Sequence, residues 1–289
     1  MSKYEIYTDS SCDLTKEMIE EFNLKVMQLE VHINDNPPVY NNEINIKSFY
    51  DELRNGANAK TNAVTPGQFQ EAMIETLEAG NDILYIGFSS GLSATYANGV
   101  MIIDELKEKY PDRKILYTDT LCASVGQGLL VYYAAMLHKE GASIEEVLEK
   151  INSIKDKIFH QITVDDLFFL RRGGRLSTSS AVVGSVLKFK PIITMDKDGR
   201  LDNVDKVRGR KTSLKEMLNR MKETENLKEL GYVFISHCDC IEDAEILKSM
   251  VLEQWSDAEI FICDIGPVIG AHLGPGGMAM CYLGKTIKC

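Results

Sequence analysis

The first half of the chain alternates short apolar runs with amphipathic segments. Apolar runs of strand length occupy residues 4–8, 25–33, 83–88 and 115–118. Apolar residues at helical spacing occur between and after them, in residues 14–22, 46–54, 66–78, 92–110, 123–138 and 143–158. Residues 34–45, with two prolines and five asparagines, predict a surface loop. Strands that alternate with helices are typical of a parallel sheet covered on both faces, so we predict a three-layer parallel α/β lobe over residues 1–164.

The second half has a different pattern. Residues 192–195 and 201–207 flank a glycine-containing turn, which predicts a β-hairpin. Two amphipathic helices and three further strands are expected at residues 211–225, 241–255, 232–236, 259–263 and 278–283. A glycine-rich stretch precedes the last strand, at residues 266–277. This mixture predicts a mixed-sheet α/β lobe over residues 165–289, with a boundary near Val164, and hence a two-lobed α/β protein.

Composition narrows the functional classes. The chain has 289 residues, of which 44% are hydrophobic, and this is enough for two packed domains. A net charge of −11 repels phosphate backbones and disfavours nucleic-acid binding. No apolar run approaches the roughly 18 residues of a membrane span. Seven cysteines, an odd number, suit a reducing compartment. We therefore expect a cytoplasmic protein without stable membrane insertion.

The charge is unevenly distributed. Twelve Lys/Arg and five Asp residues between Asp166 and Lys215 give this basic segment a net charge of +7 and leave −18 for the rest of the chain. Such a run is often only a solvated face. The other interpretation is a docking surface for an acidic partner or a phosphorylated group.

Hydroxyl-rich loops follow several predicted strands. They cover residues 8–11, 61–66, 89–93 and 119–124, and each precedes a predicted helix. In a parallel sheet these loops meet at the carboxyl edge, where ligands bind. Hydroxyls beside helix N-termini suit an anionic head group, because free N–H groups and the helix dipole favour negative charge there. N-capping explains any single loop of this kind, whereas four on one edge favour a binding site.

Residues 87–91 match the G-x-S-x-G motif of α/β-hydrolases. Ser89 would be the nucleophile, and Asp119, Asp264 and His272 follow in the order Ser–Asp–His. The motif is short, small residues satisfy it readily, and no HGGG-type oxyanion loop precedes it. A serine hydrolase that uses Ser89, with His272 as its base, is therefore the alternative function.

A metal site is considered at residues 237–240, which read His-Cys-Asp-Cys. No second pair of ligands follows at zinc spacing. A buried strand end explains these residues better, and no metal is predicted.

Seven short motifs occur in the order and spacing of one known family. They are residues 8–11, 60–61, 89–96, 119–124, 170–177, 190–193 and 270–276. On these motifs the chain resembles the DegV family, the bacterial fatty-acid-binding proteins, over essentially its whole length. It departs from the family pattern at residues 62–64, where Asn-Ala-Val stand in place of the usual Ser-Gln-Pro, and at Ala94, where glycine is usual. The hydroxyl groups are kept in both places.

The resemblance implies two lobes with one long-chain fatty acid, such as palmitate, buried between them and no cofactor. Thr61 and Ser93 would bind the carboxylate, with His272 nearby. The protein would not be an enzyme; it would present the acid to a separate ATP-dependent fatty acid kinase and carry the acyl phosphate onward. Arg175 and Arg172 would face that partner within the basic segment, so we expect both to be dispensable for holding the acid.

Overall fold

The computed structural model describes residues 3–176 and 189–287. It has a parallel four-stranded sheet, a separate mixed six-stranded sheet and a small three-stranded sheet. The two-lobed α/β class predicted from the sequence is confirmed. Ser177 of the fifth motif and Lys188 of the basic segment lie outside the described residues.

Strands and helices alternate along much of the chain. The strands of the first half are β1 (Tyr4–Asp9), β2 (Lys25–Met27), β3 (Glu30–Ile33), β4 (Val39–Tyr40), β5 (Ala59–Asn62), β6 (Asp82–Gly87) and β7 (Ile115–Asp119). Its helices are α1 (Lys16–Glu21), α2 (Ile46–Arg54), α3 (Pro66–Glu78), α4 (Thr95–Lys109), α5 (Val125–Lys139) and α6 (Ile144–Ile154). The strands of the second half are β8 (Ile158–Thr163), β9 (Phe189–Met195), β10 (Leu201–Arg208), β11 (Tyr232–His237), β12 (Glu259–Asp264) and β13 (Met278–Leu283). Its helices are α7 (Phe168–Arg172), α8 (Arg210–Thr224), α9 (Ile241–Leu252) and α10 (Pro267–Leu273).

The parallel sheet has the strand order β2-β1-β6-β7. Alternate residues of β6 pack into different cores: Ile83 and Tyr85 pack with α3 and α4, while Leu84 and Ile86 pack with α5 and α6. Because successive side chains of a strand point to opposite faces, helices cover both faces of this sheet. A capping box at Ser143 begins α6.

The six-stranded sheet has the order β10-β9-β8-β13-β11-β12. Only β11 and β12 pair in parallel, and the predicted hairpin is β9 with β10. Strand β8 pairs with β13, although the predicted boundary near Val164 assigns it to the first half. The predicted helix at residues 143–158 runs into β8, which was not predicted, because no turn signal separates residues 158–163 from α6.

Two strand predictions were wrong in detail. The run at residues 25–33 forms two strands, since β2 joins the parallel sheet and β3 joins the small sheet. The order of that small sheet is β4-β3-β5, so part of the predicted loop at 34–45 is a strand, and so is part of the hydroxyl-rich loop beginning at Thr61. Period-2 alternation identifies a strand but does not identify its partner.

The glycine-rich stretch before β13 contains a helix, α10, that was not predicted. Pro267 occupies its first turn, where a missing N–H costs nothing. Gly270 lies against the Tyr50 ring of α2, and a side chain at residue 270 would collide with it. The glycine here allows close packing of helices rather than a turn.

One apolar core extends through both halves of the molecule. It includes Phe88 after β6, Ile162 of β8, Ile193 of β9 and Ile269 of α10. The carboxyl edge of the parallel sheet, α10 and one face of the six-stranded sheet therefore meet around a common interior, where the cavity described next lies.

Candidate functional site

A cavity of about 170 Å³ lies where the two halves meet. Three of the four hydroxyl-rich loops contribute to its wall, and the second half contributes α7, α10 and residues of β8, β10 and β13. Its lining residues are Leu29, Thr61, Asn62, Ala63, Phe88, Leu92, Ser93, Ala94, Ala123, Ser124, His160, Ile162, Leu170, Arg175, Leu201, Val268, Ile269, His272, Leu273 and Ala279. Most of this wall is apolar, which suits a hydrocarbon ligand.

Thr61 and His272 meet in the cavity wall. Thr61 lies on β5 and His272 on α10, and the Thr61 hydroxyl oxygen is 3.0 Å from His272 Nε2. The other ring nitrogen, Nδ1, is buried and has no hydrogen-bond partner among the described residues. Gly173 packs directly against the ring at Nδ1, where a side chain would collide.

The His272 imidazole is neutral at physiological pH. Burial lowers its pKa to about 4, and the positive charges of Arg175 and Arg172 act in the same direction. A neutral ring has one N–H and one lone pair, so Nε2 can donate to an anion or accept from Thr61 according to the tautomer. The site therefore offers hydrogen bonds rather than a buried imidazolium.

Ser93 lines the same cavity at the start of α4. Its hydroxyl oxygen is 2.9 Å from that of Thr95 and accepts the Thr95 backbone N–H at 3.2 Å. Thr95 in turn accepts the Val64 N–H at 3.3 Å, which ties this turn to the loop after β5. The hydroxyl of Ser93 thus supports the helix start and also borders the cavity.

Arg175 lines the cavity rather than projecting outward. Its Nε donates to the Leu92 carbonyl at 3.2 Å, and Nη1 donates to the Gly173 carbonyl. The family resemblance implied that Arg175 faces a partner; in the structure this side chain is half-buried and lies on the cavity wall, next to the lining residue Leu92. Arg175 joins Thr61, Ser93 and His272 in what we call the polar patch.

Arg172 is exposed on α7. Its guanidinium carbon lies 5.3 Å and 5.0 Å from the ring centroids of Phe168 and Phe169. Phe168 is 56% exposed, so this cation and its aromatic neighbours form part of the outer surface.

The geometry does not favour a serine hydrolase. Ser89 is fully buried, does not line the cavity, and donates its hydroxyl to the Gly199 carbonyl at 2.7 Å. Asp119 accepts backbone N–H groups of Ser90 and Leu121. Asp264 approaches His237 at 3.7 Å. The Ser89 hydroxyl instead ties its loop to the turn between β9 and β10.

His160 is a lining residue that sequence reasoning missed. It lies on β8 and is almost fully buried, with Nε2 at 3.5 Å from the Ala123 backbone nitrogen. Recognising residues 158–163 as a strand would have found it, because His160 and Ile162 are two residues apart and therefore lie on the same face of β8.

The His-Cys-Asp-Cys stretch at residues 237–240 packs against other parts of the protein. Burial raises the pKa of the Cys240 thiol to about 11, and the Arg210 guanidinium lies 3.4 Å from its sulfur. Throughout residues 3–176 and 189–287, no three His, Cys, Asp or Glu side chains are grouped so as to hold a metal ion. No helix in these ranges is both long enough and apolar enough to cross a bilayer.

The chain is similar to known proteins over almost its whole length. The family model described as "Uncharacterised protein, DegV family" matches residues 3–285. A DegV domain-containing protein of Clostridium perfringens is 41% identical over 288 residues, covering 99% of each chain. The crystal structure of DegV, a fatty acid binding protein from Bacillus subtilis, matches with a TM-score of 0.84 and 27% identity, covering 99% of this chain and 100% of that one. A fatty-acid-binding DegV family protein from Thermus thermophilus matches with a TM-score of 0.85 and 27% identity, covering 97% and 99%.

Proposed function

The chain belongs to the DegV family, and we propose that it binds one long-chain fatty acid, such as palmitate, in the central cavity. The observation that carries this proposal is the contact between Thr61 and His272 on the wall of a mainly apolar cavity. The fatty-acid-binding relatives from Bacillus subtilis and Thermus thermophilus support it.

The polar patch would bind the carboxylate. The hydroxyls of Thr61 and Ser93 and the Nε2–H tautomer of His272 are neutral donors that can reach an anion. Arg175 lies beside them and supplies positive charge, while its own hydrogen bonds go to two backbone carbonyls. Since no paired, bidentate arginine is needed, the carboxylate would be held and would still be able to react.

The rest of the cavity would hold the hydrocarbon chain. Removing each CH₂ from water is worth about 0.8 kcal/mol, so a long acyl chain gains most of its binding energy from apolar walls. Leu29, Phe88, Ile162, Val268 and Ile269 supply such surfaces from both halves of the molecule.

We also propose that the protein presents the bound acid to an ATP-dependent fatty acid kinase and does not itself catalyse a reaction. Support comes from Arg172, an exposed cation in the basic segment on the same short helix as Leu170, which lines the cavity. Some of that segment's charge is already used internally, since Asp165 pairs with Lys190 at 2.7 Å and with Arg210 at 3.8 Å. The proposed location is the cytoplasm, which the six free thiols among the described residues support.

Uptake of palmitate by delipidated protein tests the binding proposal. Native mass spectrometry should find one palmitate per chain, and the double variant Thr61→Ala/Ser93→Ala should bind at least about tenfold more weakly, since two hydrogen bonds to a charged group are lost. Thr65→Ala is the matched control, because Thr65 also caps a helix start but does not line the cavity. No palmitate uptake by the unmodified protein would overturn the proposal.

A further inference from the structure

Asp13 is a buried side chain that contacts two parts of the cavity wall without lining the cavity itself. It follows β1 in the left-handed backbone region, at φ 51°. Its Oδ2 accepts the Ser124 hydroxyl at 2.5 Å, and its Oδ1 accepts the Gly266 N–H at 2.9 Å. One carboxyl group therefore joins the loop before α5 to the residue that begins α10.

Each contact of Asp13 is with a segment that carries cavity-lining residues. Ser124 lines the cavity and has φ 50° and ψ −140°, a conformation that L-residues rarely adopt and that persists only when its surroundings hold it. Gly266 is the N-cap of α10, which carries His272 and three apolar lining residues. We infer that Asp13 is a positioning residue that fixes the Ser124 wall and the α10 wall of the cavity relative to each other, an inference that rests on the proposed binding of a fatty acid.

The surroundings of Asp13 favour a neutral carboxyl group. Its pKa is raised to about 8, mainly by burial and in addition by the nearby carboxylates of Asp264 and Asp9. The titratable groups whose charges act on Asp13, or on which it acts, are Asp9, Cys12, Tyr50, Cys238, Cys263 and Asp264. Without a proton on Oδ2 the carboxyl accepts the Ser124 hydroxyl, and with one it can donate to the Ser124 oxygen instead; in both forms Oδ1 accepts from Gly266. Ser124 lies 3.2 Å from the Ser236 hydroxyl of β11, so the hydrogen bonds continue into the six-stranded sheet.

A neighbouring hydrogen bond provides a matched control. The Tyr50 hydroxyl donates to the Ile265 carbonyl at 2.7 Å, next to the residue that Asp13 contacts. Tyr50→Phe therefore removes one buried hydrogen bond from the same approach to α10 and leaves the link to Ser124 in place.

Hydrogen exchange of the full-length, acid-free protein tests the link without any ligand. Asp13→Ala should speed exchange of amides in both 123–126 and 267–273 by about tenfold, the effect of a lost buried hydrogen bond. Tyr50→Phe should speed exchange only near α10, and Asp13→Asn, which keeps an acceptor and a donor, should restore most of the protection. If Asp13→Ala does not fold, Ser124→Ala tests the same link, since it should speed exchange in 267–273. Unchanged exchange in 123–126 for Asp13→Ala, or in 267–273 for Ser124→Ala, would overturn the inference.

Palmitate dissociation then tests the consequence for the ligand. Asp13→Ala should release palmitate about tenfold faster than the unmodified protein, Tyr50→Phe should stay within about twofold, and Asp13→Asn should be near wild type. If the exchange pattern holds but the unmodified protein takes up no palmitate, the proposed function fails and the link between the walls stands. If palmitate binds and Asp13→Ala releases it no faster than Tyr50→Phe does, the positioning role fails and the proposed function stands.

Discussion

Two clusters of buried polar side chains, both containing residues of hydroxyl-rich loops, differ in where their hydrogen bonds go. The aspartate cluster, formed by Thr8, Asp9, Ser11 and Gln127, is closed on itself. Asp9 accepts the Phe88 N–H at 3.0 Å and the Ser11 hydroxyl, Ser11 also contacts Gln127 at 3.0 Å, and Gln127 donates to Thr8 at 3.0 Å. None of these four side chains lines the cavity.

The polar patch, unlike the aspartate cluster, keeps hydrogen-bonding capacity that other groups among the described residues do not use. The hydrogen bonds of Thr61 and Ser93 are to His272 and Thr95, all four residues lie next to the cavity or on its wall, and His272 Nδ1 has no partner in the described part of the chain. Buried polar groups normally find partners within the protein. A hydroxyl-rich loop after a strand can therefore complete its hydrogen bonds within the fold or, as we propose for the polar patch, keep hydrogen-bonding capacity for a ligand.

Removing Asp9 should have the largest effect on stability. Asp9→Ala leaves the Phe88 N–H and the Ser11 hydroxyl without their acceptor in a buried site, so we expect a loss of about 3 kcal/mol in the free energy of unfolding. Urea denaturation of acid-free protein measures it, with Thr61→Ala as the comparison at less than about 1 kcal/mol. Equal losses in the two variants would remove the distinction between the aspartate cluster and the polar patch.

Acid should reduce the contribution of the polar patch to the free energy of unfolding more than it reduces that of the aspartate cluster. His272 has a pKa of about 4 when folded, against an ordinary value of 6.5, so its contribution to stability is full above pH 6.5 and is lost as the pH falls toward 4. At pH 5 the loss relative to pH 7.5 is about 2 kcal/mol. Burial raises the pKa of Asp9 and Asp13, so their contributions have the opposite sign and decline as the pH rises.

Urea denaturation at pH 7.5 and pH 5 checks this sign. The variant His272→Gln should lose less stability on acidification than the unmodified protein. The control is Thr65→Ala, which removes the N-cap of α3 away from the cavity and removes no titratable group, so it should leave the acid sensitivity unchanged. An identical pH dependence in His272→Gln and wild type would contradict the account of the neutral imidazole.

Much of this comparison could be predicted from the sequence, and the failures have physical reasons. The hydroxyl-rich loops could be predicted because strand ends and helix caps leave local signals. Thr61, Ser93 and His272, which the family resemblance singled out, line one cavity. The closed state of the 8–11 loop could not be predicted, because its partner Gln127 lies more than a hundred residues away. The position of Arg175 on the cavity wall could not be predicted either, because it depends on the Leu92 carbonyl in the other half of the chain and on how the two halves meet.

Substitutions of Arg175 and Arg172 should have different effects, and these are the smallest effects that we expect. Arg175→Ala should release palmitate about three- to tenfold faster, because a cation beside the carboxylate is lost. Arg172→Ala should leave palmitate retention and melting temperature unchanged. If the proposed presentation to a kinase holds, this variant should slow phosphorylation of the bound acid by an ATP-dependent fatty acid kinase in a salt-sensitive way. Faster release from Arg172→Ala, or unchanged release from Arg175→Ala, would reverse the assignment of the two residues.

The carbon NMR signal of [1-¹³C]palmitate bound to the protein tests the central claim most directly. We expect one bound carboxylate resonance at one palmitate per chain, shifted in Thr61→Ala, Ser93→Ala and His272→Gln and unchanged in Thr65→Ala. The shift should follow from the loss of hydrogen bonds to the carboxylate itself. A bound resonance that none of the three polar-patch variants changes would place the carboxylate elsewhere and contradict the account.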